Sequence, residues 1–163
     1  MKTKKILFMT QAAMIATFYV VLTIIFQAIS FGQIQVRISE ALTILPAFTP
    51  AAIPGLFIGC FISNILGGAA LWDIIFGSLA TLLGALFTYI LRKKHPIMAV
   101  IPPIVSNTII IPLVLRYTYG VALPLYILIA SIAIGEIISC GILGIILYVA
   151  LQKNRLKIFG HHT

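Results

Sequence analysis

The sequence predicts an all-α integral membrane protein of six transmembrane helices with both termini cytoplasmic. Three observations carry that expectation. The chain is 61% hydrophobic and 9% charged, where soluble domains carry about 25% charged residues. Its 163 residues hold roughly five or six helices of about 20 residues, with little left for anything outside a bilayer. Finally, nine of its eleven basic residues lie in three short clusters at the ends of apolar runs: Lys2/Lys4/Lys5, Arg92/Lys93/Lys94 and Lys153/Arg155/Lys157. That distribution is the positive-inside pattern of a membrane protein rather than the basic face of a nucleic-acid binder.

Taken in order, the elements form a single membrane domain over 1–163, with approximate spans 6–29, 40–48, 52–66, 73–91, 97–116 and 123–152. The first run is uncharged and too long for a signal-peptide core, and no A-x-A cleavage site follows it, so it is expected to be a retained span. Ala12-x-x-x-Ala16 within it is a small-residue pair suited to close helix packing. Residues 30–39 (SFGQIQVRIS) are more polar and read as a loop on the side opposite the amino terminus. Between Glu40 and Trp72 no charge occurs, but Pro46, Pro50 and Pro54 break the run, because proline removes a backbone donor. A short second helix, a proline turn and a third helix follow from this. Gly55-x-x-x-Gly59 again suits close packing, and Ser63-Asn64 precede the Gly67-Gly68 turn.

Trp72-Asp73 opens the fourth span and Arg92-Lys93-Lys94-His95-Pro96 closes it. The fifth carries Pro102-Pro103 and Asn107, and the sixth carries Glu136 near its centre. Counting 40–72 as a hairpin and 123–152 as one span puts all three basic clusters on one side, which selects six crossings and cytoplasmic termini. Arg37 and Arg116 are the two exceptions, both near the outer face.

Only three acidic residues occur, Glu40, Asp73 and Glu136, each in or beside an apolar run. An ionised side chain there needs a partner or a watery cavity. With Arg37, Asn64, Asn107, Trp72 and Tyr117 they make a candidate substrate pocket. Carboxylates and amides suit a ligand rich in N–H donors and positive charge, and an aromatic ring can stack on a flat one. Alternatively, Arg37–Glu40 and Asn107–Glu136 only lock helices together. Cys60 and Cys140 read as small buried residues, with no expected metal or cofactor. H-E-x-x-H, G-x-S-x-G and Walker A motifs do not occur, so no enzymatic activity is expected and ATP energy would have to come from a partner.

Ala12-x-x-x-Ala16, Val36-Arg37-Ile38-Ser39, Gly55-x-x-x-Gly59 and Ser63-Asn64-x-x-Gly67 together resemble the substrate-binding (S) subunits of energy-coupling factor (ECF) transporters. The resemblance covers nearly the whole chain. The strings RISEALTILP, SNILGG and WDIIFGSLATLLGA are most similar to the QueT-type group, assigned to queuosine precursors. Asn64 is a departure, since many such subunits carry aspartate there. The resemblance implies a bacterial cell-membrane, multi-pass transport subunit, with Ala12 and Ala16 docking on a transmembrane coupling subunit attached to two ATPases. It further implies a lid between the first two helices, release by toppling of the subunit, and 7-aminomethyl-7-deazaguanine as ligand. Two alternatives stay open: the same architecture with another flat, nitrogen-rich vitamin, and a stand-alone secondary transporter.

Overall fold

The computed structural model describes residues 2–30 and 36–153. Gly32, Gln33 and Gln35 of the expected lid, and Arg155 and Lys157 of the basic tail, lie outside the described residues. Among those described, regular structure is helical throughout: α1 (Lys2–Ile25), a one-turn α2 (Gln27–Ser30), a 3-10 helix (Ile38–Ala47), α3 (Ala52–Leu66), α4 (Leu71–Leu91), α5 (Pro96–Thr118), α6 (Leu125–Glu136), a π-helical segment (Ile137–Leu143) and α7 (Gly144–Gln152). The last three follow one another without a break over Leu125–Gln152.

Four stretches are long and apolar enough to cross a membrane: Thr3–Ile25, Leu71–Leu91, Ile97–Thr118 and Leu125–Gln152. The 3-10 helix and α3 are shorter. At about 2.0 Å and 1.5 Å rise per residue they reach roughly 20 Å each, against about 30 Å of hydrocarbon. They form a hairpin beside α1. Glu40 meets Tyr19, the turn residue Thr49 donates to Gln11 Oε1 at 2.9 Å, and the chain then returns along α1 with Gly55 against Ala12 and Gly59 against Ala16.

Glycine is required at those two crossings. A Cβ on Gly55 would lie 2.7 Å from the Ala12 carbonyl oxygen, and one on Gly59 would lie 2.8 Å from Tyr19 Cβ. Small residues substitute here for the hydrophobic effect, which does not drive helices together in lipid. The α4–α5 pair repeats the device, with Gly84 against Pro103 and Thr88 Oγ1 donating to the Ala99 carbonyl at 2.7 Å.

The bundle shows apolar side chains outward and polar ones inward. Ile6, Met9, Leu71, Ile90, Ile109 and Ile134 are exposed, whereas Thr23, Ser39, Glu40, Asn64, Asp73, Thr81, Asn107 and Glu136 are buried. One apolar cluster joins Ile15, Tyr19, Ile44, Phe48, Leu56 and Val100. A second joins Ile111, Leu115, Leu128 and Ile132. Along α5 and the last helix, Asn107 and Glu136 fall between these two clusters.

Candidate substrate site

Each polar side chain is positioned by a simple helical spacing. Asp73, Gly77 and Thr81 recur every four residues on α4 and share one face, as do Glu136 and Cys140 at the π-helical segment. Single-turn π distortions are frequent at functional sites because they re-aim side chains within a helix. Glu40 stands in the first turn of the 3-10 helix, between α1 and α4.

At the centre, Tyr19 donates its hydroxyl hydrogen to Glu40 Oε1, and Thr81 Oγ1 reaches the same oxygen at 3.4 Å. Asn107 Nδ2 donates to Glu136 Oε1 at 3.0 Å, and the Cys140 thiol to Glu136 Oε2 at 3.1 Å. Thr43 Oγ1 donates to the Glu40 carbonyl at 2.6 Å. Arg37 is buried and its Nε donates to the Ser30 carbonyl at 3.3 Å. Arg37, Glu40, Gly77, Asn107, Ile111 and Glu136 enclose a cavity of about 10 Å³. That is about the room one water needs. The site is therefore closed, and admitting a ring requires the walls to separate.

Towards the end of the bundle formed by the α3–α4 and α5–α6 connections lies a second polar group. Tyr119 donates to Asp73 Oδ2 at 3.0 Å, and its oxygen accepts from the Ala70 amide at 2.9 Å. Burial, and to a lesser degree the Asp73 carboxylate, raise the Tyr119 hydroxyl above its ordinary pKa, so the phenol keeps its proton and donates at neutral pH. Asn64 Nδ2 lies 3.5 Å from the Asp73 carbonyl and 3.7 Å from Cys60 Sγ.

Three acceptor atoms here are buried without a hydrogen-bond donor: Glu40 Oε2, Asn64 Oδ1 and Asp73 Oδ1. A buried acceptor left unmatched costs about 1–3 kcal/mol. Both Glu136 oxygens, in contrast, already accept. Glu40, Glu136 and Cys140 bring one possible metal-ligand atom each to within 4.8 Å of one another. Their mutual hydrogen bonds, and the Arg37 guanidinium on the same wall, account for that grouping without an ion.

The structure brings together Arg37, Glu40, Asn107 and Glu136 and sets Asn64 and Asp73 beside them through Gly77. It separates Trp72 and Tyr117 from them. Trp72 is 56% exposed and Tyr117 81% exposed, and both line an apolar groove on the outside of α4 and α5. The reason is helical phase: with Asp73 turned inward, its neighbour Trp72 is rotated about 100° away. Trp72 stacks on Phe76 instead, ring centroids 5.8 Å apart. Ala12 and Ala16 face α3; Ala16 is buried and Ala12 half-buried. Sequence reasoning missed Tyr19, Gly77, Thr81 and Cys140, although the four-residue intervals from Asp73 and Glu136 pointed to the last three.

The family model described as QueT transporter matches residues 9–153. The chain belongs to the QueT transporter family. Over 85 residues it is 41% identical to the Queuosine precursor transporter QueT of Lactococcus lactis subsp. cremoris (strain MG1363), a stretch covering 50% of this chain and 49% of that protein. The match thus spans about half the length of the curated relative. No solved structure matches the chain. With four helices able to cross a bilayer, this member of a transporter family is a multi-pass membrane protein.

Proposed function

We propose that the chain is the substrate-binding subunit of an ECF-type importer, and that it captures a queuosine precursor, 7-aminomethyl-7-deazaguanine. The observation that carries the chemistry is the set of three buried, donorless acceptors, Glu40 Oε2, Asn64 Oδ1 and Asp73 Oδ1. A guanine-like ring supplies N–H donors along one edge, and its aminomethyl group supplies a cation. The Glu40 and Asp73 carboxyl groups share one nearby guanidinium, that of Arg37, which suits a ligand that brings N–H donors. The matched family and the relative's name support the same substrate class.

In this reading Glu40 and Asp73 touch the ligand with Asn64, while Asn107, Glu136 and Arg37 hold the walls. Trp72 and Tyr117 belong to the outer rim. Both termini are cytoplasmic, with the 3-10/α3 hairpin entering and leaving from the same end of the bundle. Transport requires a transmembrane coupling subunit with two ATPase subunits. They dock along α1, where half-exposed Ala12 is reachable and Ala16 keeps α1 close against α3.

Native mass spectrometry of protein purified from cells supplied with the deazapurine tests this reading. A bound species of the ligand's mass supports it. Substrate uptake into proteoliposomes by this chain alone, without ATP or partners, would contradict the importer-subunit role.

A further inference from the structure

Gly77 stands in the middle of a regular, buried helical turn of α4, where alanine would make the better helix. Its φ is not positive, so the backbone does not call for glycine. Contact with a neighbouring backbone does not call for it either, since the atoms facing it are side-chain ends. Cβ atoms added at Gly55, Gly59 and Gly84 would lie 2.7, 2.8 and 2.7 Å from atoms of a neighbouring helix. One added at Gly77 would instead meet Asn64 Nδ2 and Asp73 Oδ1, each at 3.2 Å, and Ile111 Cδ1 at 3.8 Å. The same glycine borders the small cavity of Arg37, Glu40, Asn107 and Glu136. Gly77 therefore separates two sets of donorless acceptors, with Glu40 Oε2 in one direction and Asn64 Oδ1 and Asp73 Oδ1 in the other.

We propose that Gly77 is the specificity-determining position of this site: the ligand ring lies on its bare backbone, donating to Glu40 at one end and to Asn64 and Asp73 at the other. The inference rests on the substrate-binding reading above and adds a shape to it. The ligand is flat, carries donors at two opposite ends, and is thin enough that one methyl group beneath it is excluded. Asp73, in the first turn of α4, lies where a helix N-terminus favours negative charge, so its carboxylate is placed as an acceptor for the ligand's donors.

The test uses the purified full chain in detergent, with 7-aminomethyl-7-deazaguanine, guanine, a pterin and thiamine as probes, read by calorimetry and thermal unfolding. For whichever probe binds the wild type, Gly77→Ala is expected to weaken binding about tenfold or more, because overpacking is felt directly at the ring. Its unliganded melting temperature should stay within a few degrees of the wild type, because the Asn64 and Asp73 side-chain ends, 3.2 Å from the added Cβ, need to give by only a few tenths of an ångström. Gly141→Ala is the control. Its Cβ would meet only Ile137 and Ile104, at 3.8 and 3.9 Å, so wild-type affinity is expected. Gly77→Ala binding within about twofold of wild type would overturn the inference, as would an unliganded Gly77→Ala protein that melts early. If another probe binds the wild type and the deazapurine does not, the substrate reading fails while Gly77 is judged on the ligand that binds. A wild type that takes none of the four removes both.

Discussion

Asn107 on α5 donates its amide hydrogen to Glu136 on the last helix across 3.0 Å. With Cys140 donating to the other carboxyl oxygen, both Glu136 oxygens already have a protein donor in the closed site. Asn107→Ala removes one of these donors inside the bundle. A loss of about 1–3 kcal/mol in stability is expected, measured as a lower midpoint of thermal unfolding in detergent. An unchanged midpoint would mean that water already serves Glu136.

At one end of the bundle, Tyr119 bridges Asp73 and Ala70 and ties the α5–α6 connection to the start of α4. Tyr119→Phe keeps the ring and removes both bonds. Because the residue is 44% exposed, water can replace part of the loss, and a stability change of about 0.5–1.5 kcal/mol is expected. Faster ligand release should accompany it, since the connection is no longer held over Asp73. Stopped-flow dissociation would register this.

The α1–α3 crossing gives a prediction about coupling between packing and the site. A Cβ on Gly59 would lie 2.8 Å from Tyr19 Cβ, and Tyr19 is the donor to Glu40. Gly59→Ala must therefore move α1 or Tyr19, costing about 1–3 kcal/mol by overpacking, and should lower ligand affinity together with stability. A stable variant with normal affinity would show that Tyr19 does not set the Glu40 carboxylate.

Trp72 and Tyr117 supply a negative prediction. Both stand on the outside of the bundle, so Trp72→Ala and Tyr117→Ala should leave affinity within about twofold of wild type, well under the tenfold that 1.4 kcal/mol represents. A large loss in either variant would place an aromatic ring over the ligand after all.

Much of the fold was legible because prolines and charges punctuate the chain. Pro46, Pro50 and Pro54 punctuate the hairpin, whose second helix runs over Ala52–Leu66. The short helix expected over 40–48 is a 3-10 helix over Ile38–Ala47, a geometry that hydropathy cannot distinguish from an α-helix. The π-helical segment after Glu136 was equally invisible, because one extra residue per turn leaves no mark on an unbroken apolar run. Within the site, scarcity made Glu40, Asp73, Asn107 and Glu136 stand out. Tyr19 and Thr81 did not, because hydroxyls are common in membrane helices, and Cys140 reads as a small buried residue until packing shows it against the Glu136 carboxylate. Trp72 misled for the opposite reason: adjacency to Asp73 in sequence means a different face on a helix.

The central claim is that a flat, donor-rich ring binds where Glu40 Oε2 is buried without a donor. Isothermal titration of 7-aminomethyl-7-deazaguanine into the purified chain and its Glu40→Gln variant tests it most directly. The predicted result is saturable one-to-one binding to the wild type at nanomolar to micromolar concentration, weakened about tenfold or more in Glu40→Gln by loss of a charge-assisted bond. Equal affinity in the two proteins, or no binding to the wild type, would contradict it.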